Sequence, residues 1–352
     1  MRYNEVYLDN LTSAPMSEEV AEELTDYFIH RYGSPLAYHQ FGQWSKTAME
    51  YFAEKVMEIL HSETKNCSFT LGVRFPLIDD GAILLSPFES PQVENAVDKL
   101  ENEVITIPLT NWIYDINWLE KQLKKGKIAL VVVSYADRIT GTIQPFEEII
   151  ELCNRYSTPL FVDLSVLIGR GKFPLLNLGS AYGYINGKVF GAPCDLIIGE
   201  KLDLQFPHQL SAGFLKSLEI IYENLDDNLT RLSELSEYFW EMLQLHLPHL
   251  TLLGGNEKVS GVMAIAFQDV DRQAMMLALD MQGVMVWAGD SLYSPIKSLL
   301  HSDVPEHIAD STLRFSFWYH NTKQEIDYVL RVLPPLVDRV RYEKKSPRFQ
   351  AD

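Results

Sequence analysis

The sequence predicts an α/β protein: a mainly parallel sheet sandwiched by helices, followed by a smaller α+β unit. Three observations carry this. Ile128 to Ser134 reads IALVVVS, a continuous apolar run of the kind found in strands covered on both faces. Other short apolar runs alternate with helix-like segments, as βα units do. A proline-free stretch from about Gln209 to Gln244 then keeps helical spacing, and a second set of strand-like and helix-like segments follows it. At 352 residues the chain exceeds one ordinary core, so two units are expected.

Taken in order, Val6-Tyr7-Leu8 is a short strand-like run ending at Asp9-Asn10. Ser17 suits an N-cap, with Glu18 and Glu19 in the first turn and Val20, Leu24, Tyr27 and Phe28 at helical spacing. Gly33-Ser34-Pro35 is a turn, and a second helix is expected from about Trp44 to Leu60. Ile83-Leu84-Leu85 is the next strand-like run. After Ile128–Ser134, a helix from Phe146 to about Tyr156 leads to Pro159-Leu160-Phe161-Val162-Asp163, a buried strand closed by an acid. Leu196-Ile197-Ile198 is a further strand. Beyond the long helix, Val262–Phe267 and Leu313–Phe317 read as strands, and Asp271–Met281 and Lys323–Tyr342 as helices.

Composition removes several function classes. The net charge is −18, which repels a phosphate backbone or an anionic membrane surface, so no nucleic acid and no membrane is expected as partner. No uncharged apolar stretch approaches the roughly 18 residues that span a bilayer. Cys67, Cys153 and Cys194 are too few and too scattered for a disulfide framework or a CxxC metal site. A reducing cytoplasm fits them, and the charged N-terminus lacks a signal-peptide core. Gly187-Lys188 is no P-loop, because Val189 stands where Ser or Thr is needed and Tyr182 where a glycine is needed. His246 and His249 flank a proline near a helix end and read as solvent-facing.

Two residues stand out. Asp163 closes a buried parallel strand, at the sheet edge where α/β folds place ligands; it is either a ligand group or the cap of the next turn. Lys188 lies in a glycine-rich stretch with Gly183, Gly187 and Gly191. Such a lysine is either a surface charge or, with a lowered pKa, a former of Schiff bases.

Ordered blocks along nearly the whole chain carry a resemblance. Tyr7 to Pro15 (YLDNLTSAP) is similar to YLDNAATTP, and Tyr32-Gly33-Ser34-Pro35 with His39, Phe41 and Gly42 to FGNPSSxHxxG. Thr140 to Pro145 (TGTIQP) matches ETGTIQP, Phe161-Val162-Asp163 resembles HVDAVQ, Lys188 to Gly191 resembles SAHKxxGP, and Leu313 to Ser316 resembles IRFSLG. The chain thus resembles the cysteine desulfurase family of class V aminotransferases, which have the fold-type I pyridoxal-phosphate architecture. The resemblance implies a large domain at 14–245, with 1–13 and 246–352 forming the small one. It also implies a homodimer, Lys188 as Schiff-base residue, Asp163 against the pyridine nitrogen, and Arg314 as receptor of the substrate carboxylate.

The departures point another way. The ring-stacking histidine of EHPAV is replaced by Ser90 in Glu89-Ser90-Pro91-Gln92-Val93. The asparagine and glutamate of NNETG become Arg138 and Ile139, the glutamine after HVDAV becomes Val166, and the histidine before the lysine becomes Gly187. The loop that carries the nucleophilic cysteine aligns near Gly289-Asp290-Ser291-Leu292, which has none. The helix whose N-terminus holds the cofactor phosphate has no room between Thr70 and Gly81, and the RSGT segment is missing between Gly199 and Gln209. Thr70, Ser90 and Arg74 are the remaining cofactor-binding candidates beside Asp163 and Lys188, with Arg74 either a substitute phosphate ligand or a surface charge. The expectation is a degenerate homologue with weak or absent pyridoxal-phosphate binding and no desulfurase activity, serving as a binding or regulatory protein. The alternative is a pyridoxal-phosphate enzyme acting on a small amino acid through Lys188.

Overall fold

Seven strands form the central sheet of the protein, seen in a computed structural model that describes residues 5–76, 78–172, 178, 181–289 and 294–345. Their order is Cys67–Thr70, Asp195–Ile198, Tyr182–Ile185, Leu160–Asp163, Ile128–Ser134, Ala82–Leu85 and Val104–Thr106. The five from Tyr182–Ile185 to Val104–Thr106 run parallel, and Asp195–Ile198 is antiparallel to both its neighbours. The sheet is therefore mostly parallel with an antiparallel edge.

The IALVVVS run shows why the sheet is covered twice. Val131 and Val133 pack into one core with Phe52 and Val56 of the helix Gln40–Ile59 and with Phe214 and Leu218 of the helix His208–Glu223. Leu130 and Val132 pack into another with Val93 and Val97 of the helix Pro91–Val97. Successive side chains point to opposite faces, so only an unbroken apolar run satisfies both.

A second core lies around a three-stranded antiparallel sheet, with Val262–Phe267 between Leu250–Leu253 and Thr312–Ser316. Ile265, Phe267, Phe315, Phe239 and Val337 fill it. The N-terminal segment joins this unit: Val6–Tyr7 pairs in parallel with Val284–Met285, and the Ser316 N–H donates to the Leu8 carbonyl at 2.7 Å. No helix among the described residues is long and apolar enough to cross a membrane.

Three expectations about elements change. The single long helix is two, His208–Glu223 and Leu225–His246, because Asn224 leaves helical geometry at φ −125° and ψ 32°. Its carbonyl then accepts the Asn228 N–H at 2.9 Å and starts the second helix. The second N-terminal helix begins at Gln40 rather than Trp44, since His39 caps it: its Nδ1 accepts the Gly42 N–H at 3.2 Å. Strands Cys67–Thr70 and Tyr182–Ile185 carry polar residues or glycine and give a weak apolar signal. A Cβ at Gly183 would lie 2.9 Å from Leu164 Cδ1, so the glycine permits the packing while hiding the strand.

Candidate functional site

Four parallel strands end on one cleft of about 280 Å³. After Ala82–Leu85 come Phe88, Ser90, Pro91 and Gln92; after Ile128, the strand's last residue Ser134, then Arg138. Leu160–Asp163 supplies Asp163, Ser165 and Val166, and Tyr182–Ile185 is followed by Asn186 and Val189. Leu11 and Thr12 close the cleft from the N-terminal segment. Between Ala82–Leu85 and Ile128–Ser134 the strand order reverses direction, the place where open α/β sheets bind ligands.

The floor is acidic and dry. Asp163 accepts the Ser165 N–H at 2.8 Å and has 5% of its surface exposed. Burial raises its pKa, against the pull of the Ser165 donors and of the Arg138 charge. Glu89 is fully buried, and its Oε1 accepts the Ser134 hydroxyl at 2.9 Å. Burial first, then the nearby Asp163 carboxylate, raises the Glu89 pKa well above the ordinary range, which favours the protonated carboxyl. Ser134 lies opposite Asp163 in adjacent strands, which brings the two acids together. The hydroxyl network continues inward: the Tyr114 O–H donates to Ser86 Oγ at 2.7 Å.

Arg138 sits in a turn organised by Asp137. One carboxylate oxygen accepts the N–H groups of Ile139 and Thr140 at 2.8 and 2.6 Å. The other accepts the Thr142 N–H at 3.1 Å and the Thr140 hydroxyl. Gly141, at φ +77°, lets the chain reverse there.

The residues singled out in the sequence separate. Asp163 and Ser90 line the cleft, with Ser90 Oγ capping the helix Pro91–Val97 by accepting the Val93 N–H at 3.4 Å. Lys188 lies between the cleft residues Asn186 and Val189, but its side chain is exposed and its charge acts on Asp195, whose pKa burial raises and Lys188 partly offsets. Arg314 is buried. Its Nη2 donates to Asp9 Oδ1 and Thr12 Oγ1, both at 2.6 Å, its Nη1 donates to the Arg138 carbonyl at 3.0 Å, and its guanidinium lies 4.3 Å from the Trp287 ring centre. Thr70 donates its hydroxyl to the Gly72 carbonyl at 3.0 Å. Arg74 pairs with Glu200 at 3.2 Å and reaches Ser68 Oγ at 3.3 Å. Neither lines the cleft. Of the loop placed near Gly289–Leu292, Asp290 to Leu292 lie outside the described residues.

Sequence alone does not single out Glu89 or Ser134 and gives Arg138 only as the counterpart of a lost asparagine. Their common signal is position: each stands at or just after the end of a parallel strand, as Asp163 does.

The sequence profile of the family described as Aminotransferase class-V matches residues 79–188 and 211–329. A cysteine desulfurase IscS of Dictyoglomus turgidum is 26% identical over 377 residues, covering 96% of this chain and 95% of its own. An IscS of Clostridium botulinum is 24% identical over 396 residues, covering 98% and 97%. A solved NifS-like protein superposes with a TM-score of 0.83 at 20% identity, covering 95% of this chain and all of that one. A NifS-like protein of Rickettsia africae gives 0.80 at 18%, covering 95% and 99%. The fold is that of the fold-type I pyridoxal-phosphate enzymes, and pyridoxal phosphate is the cofactor such membership implies.

The cleft suits one end of that cofactor. A buried acid beside Phe88, Val166 and Val189 matches a protonated, flat pyridine ring. The other end is less well served, since the Thr70 hydroxyl donates to Gly72 and Arg74 Nη2 is engaged by Ser68 and Glu200.

Proposed function

Because the chain belongs to the class-V aminotransferase family, we propose that it is a cysteine desulfurase-like protein that binds a small ligand in this cleft without removing sulfur from cysteine. One observation carries the reading, the position of the thiols. Desulfuration needs a thiolate that reaches the substrate's sulfur. Cys67, Cys153 and Cys194 are buried and unpaired, and none lines the cleft. Burial pushes the Cys67 and Cys153 thiols up to about 12 and the Cys194 thiol well above its ordinary value. The segment Gly289–Leu292 contains no cysteine.

Pyridoxal phosphate, when bound, supplies an electron sink through its protonated ring. Asp163 is the group that would hold the ring nitrogen, and Lys188 the amine nearest in sequence to the cleft's rim. Binding is expected to be weak, because Ser90 offers no stacking face and the Thr70 hydroxyl and Arg74 Nη2 are engaged by Gly72, Ser68 and Glu200. A second reading, a pyridoxal-phosphate enzyme of a small amino acid acting through Lys188, is favoured by the buried Asp163 at the cleft floor. The visible spectrum of the purified protein and a sulfide assay separate the readings. No sulfide from cysteine, and a colourless protein taking up the cofactor weakly, are expected. A stoichiometric cofactor band abolished by Lys188→Ala supports the second reading, and Lys188-dependent sulfide release overturns the first.

The same proposal includes a homodimer of chains divided at 14–245 and at 1–13 with 246–352. The helices Glu18–His30 and Gln40–Ile59 and the turn between them expose Phe28, Ile29, Tyr32, Leu36, Tyr38, Phe41 and Trp44, an apolar face that a second copy would cover. Light scattering should give twice 40.3 kDa, and a monomer at micromolar concentration refutes this. The unpaired cysteines suit a reducing compartment such as the cytoplasm.

A further inference from the structure

We infer that Arg138, rather than Arg314, is the oxyanion receptor of the cleft, taking the carboxylate or phosphate of a small ligand, while Arg314 serves as a clamp that holds Arg138 and the N-terminal segment in place. The inference rests on the reading of the cleft as a ligand site and deepens it.

The two guanidiniums lie on one aromatic side chain. Arg314 is centred 4.3 Å from the Trp287 ring and Arg138 5.6 Å. Their surroundings differ. Arg314 has 1% of its surface exposed, and Asp9, Thr12 and the Arg138 carbonyl take up its two Nη groups. A substrate carboxylate would have to displace the Asp9 carboxylate at 2.6 Å, exchanging one buried anion for another. Arg138 lines the cleft itself and keeps 9% exposure.

The backbone beneath Arg138 is fixed from both sides. Asp137 gathers the N–H groups of Ile139, Thr140 and Thr142, and Arg314 donates to the Arg138 carbonyl. A guanidinium carried on such a base loses little freedom on binding, which favours a planar, two-oxygen partner. Thr12, Ser90 and Gln92 add polar side chains to the lining of the same cleft.

The local charge permits an anion despite the two acids. Burial favours the neutral form of Glu89, and the positive charge of Arg138 acts on Asp163 within the cleft and on Glu94. A ligand with an oxyanion at one end and a protonated nitrogen at the other would therefore meet Arg138 and Asp163. A cofactor phosphate and an amino-acid carboxylate share this chemistry.

Two matched pairs of probes test the assignment on the full chain by calorimetry. Pyridoxal 5′-phosphate and pyridoxal differ by the phosphate; L-alanine and L-alaninamide differ by the carboxylate. In one pair, Arg138→Gln should weaken the charged member at least about tenfold and leave the uncharged member within about twofold, as expected for loss of a charge-assisted pair. Arg138→Lys should fall between, because it keeps the charge and loses the fork. The phosphate pair responding identifies a cofactor-type ligand, and the alanine pair an amino acid. The melting temperature of Arg314→Gln should drop further than that of Arg138→Gln. The inference is overturned if Arg138→Gln leaves all four affinities unchanged, weakens both members of each pair equally, or unfolds the protein while Arg138→Lys binds every probe as wild type does. Failure of wild type to bind any probe overturns it too. Sulfide release from cysteine would sink the proposed function and leave the Arg138 assignment standing.

Discussion

At the carboxyl edge of Leu160–Asp163 the protein keeps acids and arginines out of water. Past the end of Cys67–Thr70, Arg74 stays in solvent with 44% of its side chain exposed. Both places are where the family resemblance puts contacts to one cofactor. They differ in what holds each charged group. Asp163 and Glu89 accept hydrogen bonds from Ser165 and Ser134, and Arg314 donates to Asp9, Thr12 and the Arg138 carbonyl. Arg74 has one exposed carboxylate and one serine. A buried group costs several kcal/mol when its partner is removed, and an exposed pair almost nothing. Changes in the first place should therefore reach stability and binding together, and changes in the second should reach neither.

The largest effect is expected at Arg314. Arg314→Ala strips the buried Asp9 pair, the Thr12 bond and the Arg138 carbonyl bond at once. Removing one partner of a buried pair costs about 3–5 kcal/mol, and the N-terminal segment loses one of its several ties to the Thr312–Ser316 strand. Denaturant unfolding should show the midpoint falling sharply. A fully stable Arg314→Ala with normal unfolding would return Arg314 to the role of a ligand-binding arginine and erase the contrast drawn above.

A smaller effect, with a defined sign in pH, is expected at Glu89. Its folded pKa lies well above the ordinary glutamate value of about 4.3. Below that value both folded and unfolded chains hold the proton, and Glu89 costs nothing extra. As pH rises past it, the unfolded chain releases the proton while the folded one keeps it, so stability falls until the folded pKa is reached. Glu89→Gln removes the titration. Its stability advantage over wild type should grow from acid toward alkaline pH, as read from urea midpoints across that range. A constant difference at every pH would mean that Glu89 titrates alike in the folded and unfolded chains.

Much of the fold could be read from residues whose role is local. IALVVVS can only be a doubly covered strand, and Ser17 caps its helix as its side chain suggests, accepting the Val20 N–H at 3.3 Å. Asp163 was legible for the same reason, being a charge at the end of an apolar run. Gly183 concealed a strand because its value lies in what packs against it. Glu89 was harder: its burial depends on Ser134, 45 positions away in sequence, and no local pattern reports such a partner. Arg138 and Arg314 show the limit most clearly. Alignment points to Arg314 as the receptor, yet only the fold reveals that Asp9 already occupies it.

The smallest effect is expected at Arg74, and its smallness is informative. Arg74→Ala removes an ion pair to Glu200 whose partners are 44% and 24% exposed. Such a pair contributes about 0.2–1 kcal/mol, reduced further by salt. The unfolding midpoint should move little, and the affinity for pyridoxal 5′-phosphate should stay within about twofold of wild type, since no phosphate bond is lost. Were Arg74 a phosphate ligand replacing the missing helix terminus, its loss would remove a charge-assisted bond of about 1.5–3 kcal/mol, and affinity would fall tenfold or more. The two outcomes differ by an order of magnitude in one titration. The second would show that Arg74 leaves Glu200 when a ligand arrives, making the exposed edge part of the site and the difference between the two regions one of occupancy rather than of construction.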